Sequence, residues 1–225
     1  MILGPLLGLI LGFADYATEG LFRKTNEAKM KFISFAAGIS VSYVFLILLP
    51  EIYTGASAIS PLLFFPVLIG FALFHLLEKF IRQHHSWHHY KKEHELVHEI
   101  LSFLYFFVVG FVIAKLAKYG MEGALLLFVP LFFHIIIDSL PKKVTKHQLL
   151  RAFFASSPFL GSIAGSFVET SRAVNVSLLG IVGGALLYII VRESLPKERD
   201  GKPMYFLVGL LSFTVLILFL WNGFN

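Results

Sequence analysis

Apolar stretches of roughly constant length alternate along this chain with short polar ones. Eight of them are long enough to consider as membrane helices: 2–22, 31–53, 61–82, 97–118, 122–141, 148–169, 174–192 and 204–223. A helix needs about 20 mostly apolar residues to cross the hydrocarbon of a bilayer. Helices are also the only open-chain structures that satisfy every backbone polar group there. The pattern therefore predicts an all-α fold, a polytopic membrane helix bundle with eight transmembrane helices. Residues 1–225 form a single transmembrane domain. The fifth stretch is short, and Pro130 is expected to interrupt it, as in the broken helices that line transport sites. The first stretch lacks a basic leader and carries Asp15 and Glu19 near its far end. It reads as a first membrane helix rather than a cleaved signal.

Composition points the same way. Hydrophobic residues make up 57% of the chain and charged ones 15%, against about a quarter charged in soluble domains. With no cysteine, disulfides and thiolate metal sites are excluded. The net charge of +5 would suggest nucleic acid in a soluble chain. Here its distribution predicts the lipid bilayer as partner, and no nucleic acid. The first loop holds Arg23, Lys24, Lys29 and Lys31, the third Lys79, Arg82, Lys91 and Lys92. The fifth holds Lys142, Lys143, Lys146 and Arg151, the seventh Arg192, Lys197, Arg199 and Lys202. The second has none, the fourth only Lys115 and Lys118, the sixth only Arg172, which completes the 19. Loops rich in Lys and Arg face the cytoplasm. The expectation is a multi-pass protein of the cell membrane with both termini on the non-cytoplasmic side.

Two sets of residues could carry chemistry. His134 and Asp138 are four apart in the fifth stretch, so a helix puts them on one face. Ionisable groups inside membrane helices cost about 2.5–3.5 kcal/mol on insertion scales and mark functional sites. Imidazole and carboxylate together suit a divalent cation such as zinc, whose four ligands would be completed by other helices or water. Asp138 is also near enough to the cytoplasmic end to meet Lys142 or the interface. The second set is the histidine-rich cytoplasmic loop at about 83–98, with His84, His85, His88, His89, His94 and His98. If helical, it forms three four-apart pairs, which bind borderline metals; otherwise it is a polar loop. Asp15 and Glu19 are expected to pair with Arg23, and Glu169 with Arg172. Glu51 reads as a helix-end residue. Gly161, Gly165, Gly180, Gly183 and Gly184 are spaced for close helix packing.

A faint repeat links Leu48-Leu49-Pro50-Glu51 to Glu193-Ser194-Leu195-Pro196. In the charge-derived topology these ends lie on opposite sides, as an inverted repeat of helices one to three against six to eight requires. No phosphate loop, dinucleotide fingerprint or nucleophile elbow is present. The chain is not expected to be an enzyme or to carry a prosthetic group.

Four segments carry a resemblance. They are Ser34 to Gly38 running to Leu48-Leu-Pro-Glu51, Phe74-His-Leu-Leu-Glu-Lys79 leading into the histidines, Ser156-Ser-Pro-Phe-Leu-Gly161, and Gly183-Gly-Ala-Leu-Leu-Tyr188 followed by Leu195-Pro196. In order and spacing they resemble the ZIP family of zinc and iron permeases. The resemblance implies a ZIP-like bundle with an inverted repeat, outward termini, a homodimer, and divalent metal ion transport with a zinc-like cation as substrate. The usual metal site is not retained. Where the family carries His-Asn-x-x-Asp-Gly, this chain has Tyr105 to Gly110, and only the glycine matches. Against His-Glu-x-Pro-His-Glu it has His134 to Ser139, keeping the first ligand and placing Asp138 at the second. The ligand position of the second helix is Ile47. These residues leave two alternatives beside transport. One is a non-transporting regulatory protein or metal sensor acting through its histidine-rich loop. The other is an intramembrane hydrolase using His134, Asp138 and a metal-activated water, which would want midplane histidines on a second helix; the sequence has none.

Overall fold

A computed structural model describes residues 2–18, 26–84, 91–139, 148–191 and 201–223. The described residues form eight helical rods and no strand. They are α1 (Leu3–Thr18), α2 (26–59), α3 (61–84), α4 (Lys91–Tyr119), α5 (Met121–Ser139), α6 (148–167), α7 (172–191) and α8 (Pro203–Gly223). Four contain stretches long and apolar enough to cross a membrane: Glu27–Ile59, Glu99–Tyr119, Arg172–Ile189 and Pro203–Trp221. Leu3–Thr18, Pro61–Leu77 and Met121–Ile137 are apolar but shorter as described.

Three rods depart from the sequence expectation. Pro130 does not interrupt α5, which runs unbroken through it. In apolar surroundings a helix gives up one hydrogen bond at proline more cheaply than it unwinds. The interruption falls in α6 instead, where Ser156 separates Gln148–Ala155 from Ser157–Phe167. Pro158 stands at the start of the second piece, where its missing N–H is least costly. The third departure is in α2, which widens into a π turn over Val44–Leu48 and then continues over Leu49–Ile59. Glu51 is therefore an exposed residue in the first turn after the π segment, not a helix end.

The rods sort into two groups. α1, α4, α5 and α6 pack on one another, as do α2, α3, α7 and α8. The principal helix contacts between the groups are α2 with α5 and α4 with α7. Within the second group the same crossing occurs twice. Gly38 of α2 lies against the Phe206 carbonyl and the Leu210 amide of α8. Gly184 of α7 lies in the same way against the Val67 carbonyl and the Phe71 amide of α3. Gly209 of α8 meets the Phe35 carbonyl, and Gly70 of α3 meets the Ile181 carbonyl. The spacings agree on both sides: Phe35 to Gly38 matches Ile181 to Gly184, and Phe206 to Leu210 matches Val67 to Phe71. None of the four sites has room for a Cβ. The π form also recurs, since Ile190 follows Gly184 at the interval by which Val44 follows Gly38, and Ile190 and Val191 are π. Thus α2–α8 and α7–α3 are one packing motif used twice. The α2–α8 copy adds hydroxyl bonds: Ser42 Oγ donates to the Leu210 carbonyl at 2.9 Å, and Thr214 Oγ1 to Ser42 Oγ at 3.2 Å.

Overpacking of this kind costs about 1–3 kcal/mol per site. Gly38→Ala and Gly184→Ala are expected to lower the thermal unfolding midpoint in detergent by similar amounts. Gly123→Ala, whose nearest neighbour is the Leu116 side chain at 3.9 Å, should leave the midpoint unchanged or raise it. Unequal effects at Gly38 and Gly184 would show that the two crossings are not mechanically equivalent.

Candidate functional site

α5 carries His134 into the interior, where it is 7% exposed. Its ring faces two aromatic residues of α4, Phe106 at 6.0 Å and Tyr105 at 6.4 Å between centroids. Tyr105 in turn packs edge-on against Phe74 of α3 at 4.7 Å. The neighbouring Phe133 meets Phe32 and Phe35 of α2 at 5.5 and 5.6 Å. His134 therefore sits beside the seam where the α4–α5 pair of one group meets α2 and α3 of the other. Rings fill that seam because Tyr105 and Phe106 of α4 and Phe133 of α5 turn toward it. An imidazole there can offer one nitrogen to a borderline metal, and the ring faces around it attract cations.

The remaining predicted site residues are distributed as follows. Asp138 lies one turn beyond His134 in the last turn of α5; its side chain is outside the described residues. His84 ends α3, while His94 and His98 fall in the first turns of α4, which begins at Lys91 rather than near 97. The predicted loop is thus partly helix. His85, His88 and His89 lie outside the described residues, as do Glu19 and Arg23. Among the described residues no group of three or more His, Cys, Asp or Glu is placed to hold a metal ion. Of the serines near the α6 break, Ser156 donates to the Phe153 carbonyl of its own helix at 2.7 Å. Ser157 is fully buried, and among the described residues its hydroxyl has no hydrogen-bond partner. The expected pair of Glu169 and Arg172 does not form. Both are exposed, and the turn between α6 and α7 is held by Thr170 Oγ1 on Asn175 Oδ1 at 2.6 Å and by Ser171 capping α7.

Two basic residues counted as loop charges turn out to close helix ends. Arg151 of α6 donates to the Tyr16 carbonyl near the end of α1 and lies over the Tyr16 ring at 4.3 Å. Lys115 of α4 donates to the Val168 carbonyl at the end of α6 and lies over the Phe111 ring at 5.1 Å. Cationic side chains complement the negative end of a helix dipole. Lys115 was legible in principle: it interrupts an apolar run from Tyr105 to Ala117, which marks an intramembrane ionisable residue.

Comparison of the chain with protein-family models and with curated proteins finds no match.

A buried hydroxyl without a partner costs stability, and its removal is neutral or favourable. Ser157→Ala is expected to hold or raise the unfolding midpoint. Ser42→Ala, which removes two α2–α8 hydroxyl bonds, should lower the midpoint, at a cost of about 0.6 kcal/mol for each bond, the average in membrane bundles. A clear loss of stability in Ser157→Ala would mean that the hydroxyl holds a bound water or ligand.

Proposed function

We propose that this chain is a ZIP-like permease of the cell membrane that passes a divalent, zinc-like cation between its two helix groups. The observation that carries the reading is the position of His134, a buried imidazole beside the seam between the groups. In this reading all eight rods span the bilayer, with both termini on the non-cytoplasmic side. The two repeats then run in opposite directions through the membrane, as an inverted repeat requires. Asp138, one turn toward the cytoplasm, would share the ion with His134. The rings of Tyr105, Phe74 and Phe133 would part as one group rocks against the other and exposes the site to alternate sides. Sparse contact between the groups and dense contact within each support a rigid-body movement. The histidines from His84 to His98 would gather metal at the cytoplasmic face, and the chain would pair as a homodimer like the family it resembles.

A second reading is favoured by two particular observations: the aromatic filling of the seam, and the lack of a three-ligand cluster among the described residues. In it the bundle does not transport, and the histidine-rich segment senses metal.

Flux of zinc, cadmium, manganese and iron into proteoliposomes separates the two. A permease predicts saturable flux that falls about tenfold or more in His134→Ala and in Asp138→Ala, the scale on which even outer partners of a metal site act. Absence of flux from folded, inserted native chain would remove the transport reading. Retained metal binding that is lost on replacing His84, His85, His88 and His89 would then leave the sensor.

A further inference from the structure

Lys115 is 5% exposed, one turn before the end of the apolar span Glu99–Tyr119 of α4. Burying an ammonium is costly unless its donors are met. One of them goes to a carbonyl, and a ring lies beside the ammonium. Among the described residues it has no carboxylate within ion-pair distance; its neighbours are a carbonyl, a ring and a helix end. The carbonyl is that of Val168, where α6 stops: Phe167 is the last helical residue, and Val168 turns to extended backbone while its own amide still bonds the Ala164 carbonyl. The last carbonyls of a helix have no intrahelical donors and concentrate negative potential. The ring is Phe111, one turn back on the same helix. Close contact of α4 and α6 places the ammonium there: Gly165 lies against the Phe111 carbonyl and the Ala114 side chain. The other charges acting on the ammonium are Lys118 of its own helix and Glu169 just past the end of α6.

In transport proteins helix C-termini with freed carbonyls coordinate sodium, and an aromatic face attracts any cation set over it. We infer that the ammonium of Lys115 is a tethered occupant of such a site, taking the place of a dissolved monovalent ion. The site locks the end of α6 to α4. With a covalently attached ammonium the lock needs no sodium or potassium from solution. It is indifferent to whether a metal crosses the seam, because its occupant never leaves.

The experiment is thermal unfolding of the purified full chain in detergent at constant ionic strength. The salts are the chlorides of sodium, potassium, methylammonium and bulky N-methylglucamine. The native chain is expected to unfold at one temperature in all four. Lys115→Ala should unfold several degrees lower in N-methylglucamine and recover at least half of that loss in methylammonium or sodium. Lys115→Met, which keeps the apolar stem, should behave in the same way with a smaller loss. Lys115→Arg should resemble the native chain. The inference is overturned if Lys115→Ala equals the native chain in N-methylglucamine. It is also overturned if the loss is the same in every salt, or if neither Lys115→Ala nor Lys115→Met folds in any of them.

Discussion

The architecture depends on places where one helix backbone lies directly on another, and four of them form a matched set. At Gly38, Gly209, Gly70 and Gly184 even a methyl group would collide with a facing carbonyl or amide. In a bilayer, helices would gain little from apolar burial, since lipid tails are as apolar as leucine. They associate through van der Waals contact and short polar bonds, both of which require close approach. The four glycines provide that approach in two matched pairs, so α2–α8 and α3–α7 form a frame. The other group uses the same kind of contact, with Gly110 on the Pro158 carbonyl and Gly161 on the Phe107 carbonyl, and adds charge. Gly8 and Gly12 of α1 and Gly110 of α4 pack against the α6 break, and cationic side chains close helix ends at Tyr16 and Val168.

Much of the fold was legible in the sequence because apolar length is a strong signal. All eight rods lie where the apolar runs predicted them, and the glycines at Gly161, Gly165, Gly180, Gly183 and Gly184 are at helix contacts. The ends were less legible. α4 reaches back to Lys91 through residues too polar to register as a membrane stretch, and α2 continues past Glu51 to Ile59. Both errors share a cause: hydropathy reports what the surroundings favour, whereas a helix continues as long as its own hydrogen bonds do. Pro130 and Ser156 show the same limit. Proline was expected to break α5, but the apolar environment maintained the helix there. The break came at Ser156, next to a proline whose position at a helix start is easy to accommodate.

The candidate site was legible only in part. His134 stood out as a lone imidazole in an apolar run, and the fold confirms its burial. Tyr105 stood at the motif position of the resemblance, whereas Phe106 and Phe74 look like ordinary core residues until the packing brings them to one seam. Lys115 and Arg151 were assigned by their distance from a predicted helix end. That distance says nothing about which neighbouring helix a long side chain will reach.

The π turn in α2 has a consequence for anyone comparing this chain with others. A π turn accommodates one extra residue, and each residue of an α-helix advances the direction of its side chain by about 100°. A helical wheel drawn through α2 from Asn26 keeps phase as far as Tyr43 and is out of step by that angle after Leu48. Ile47, the position that counting along the resemblance would nominate as a ligand, lies inside the wide turn itself. Residues on either side of it obey different facing rules, so a substitution series along α2 should be scored as two registers rather than one.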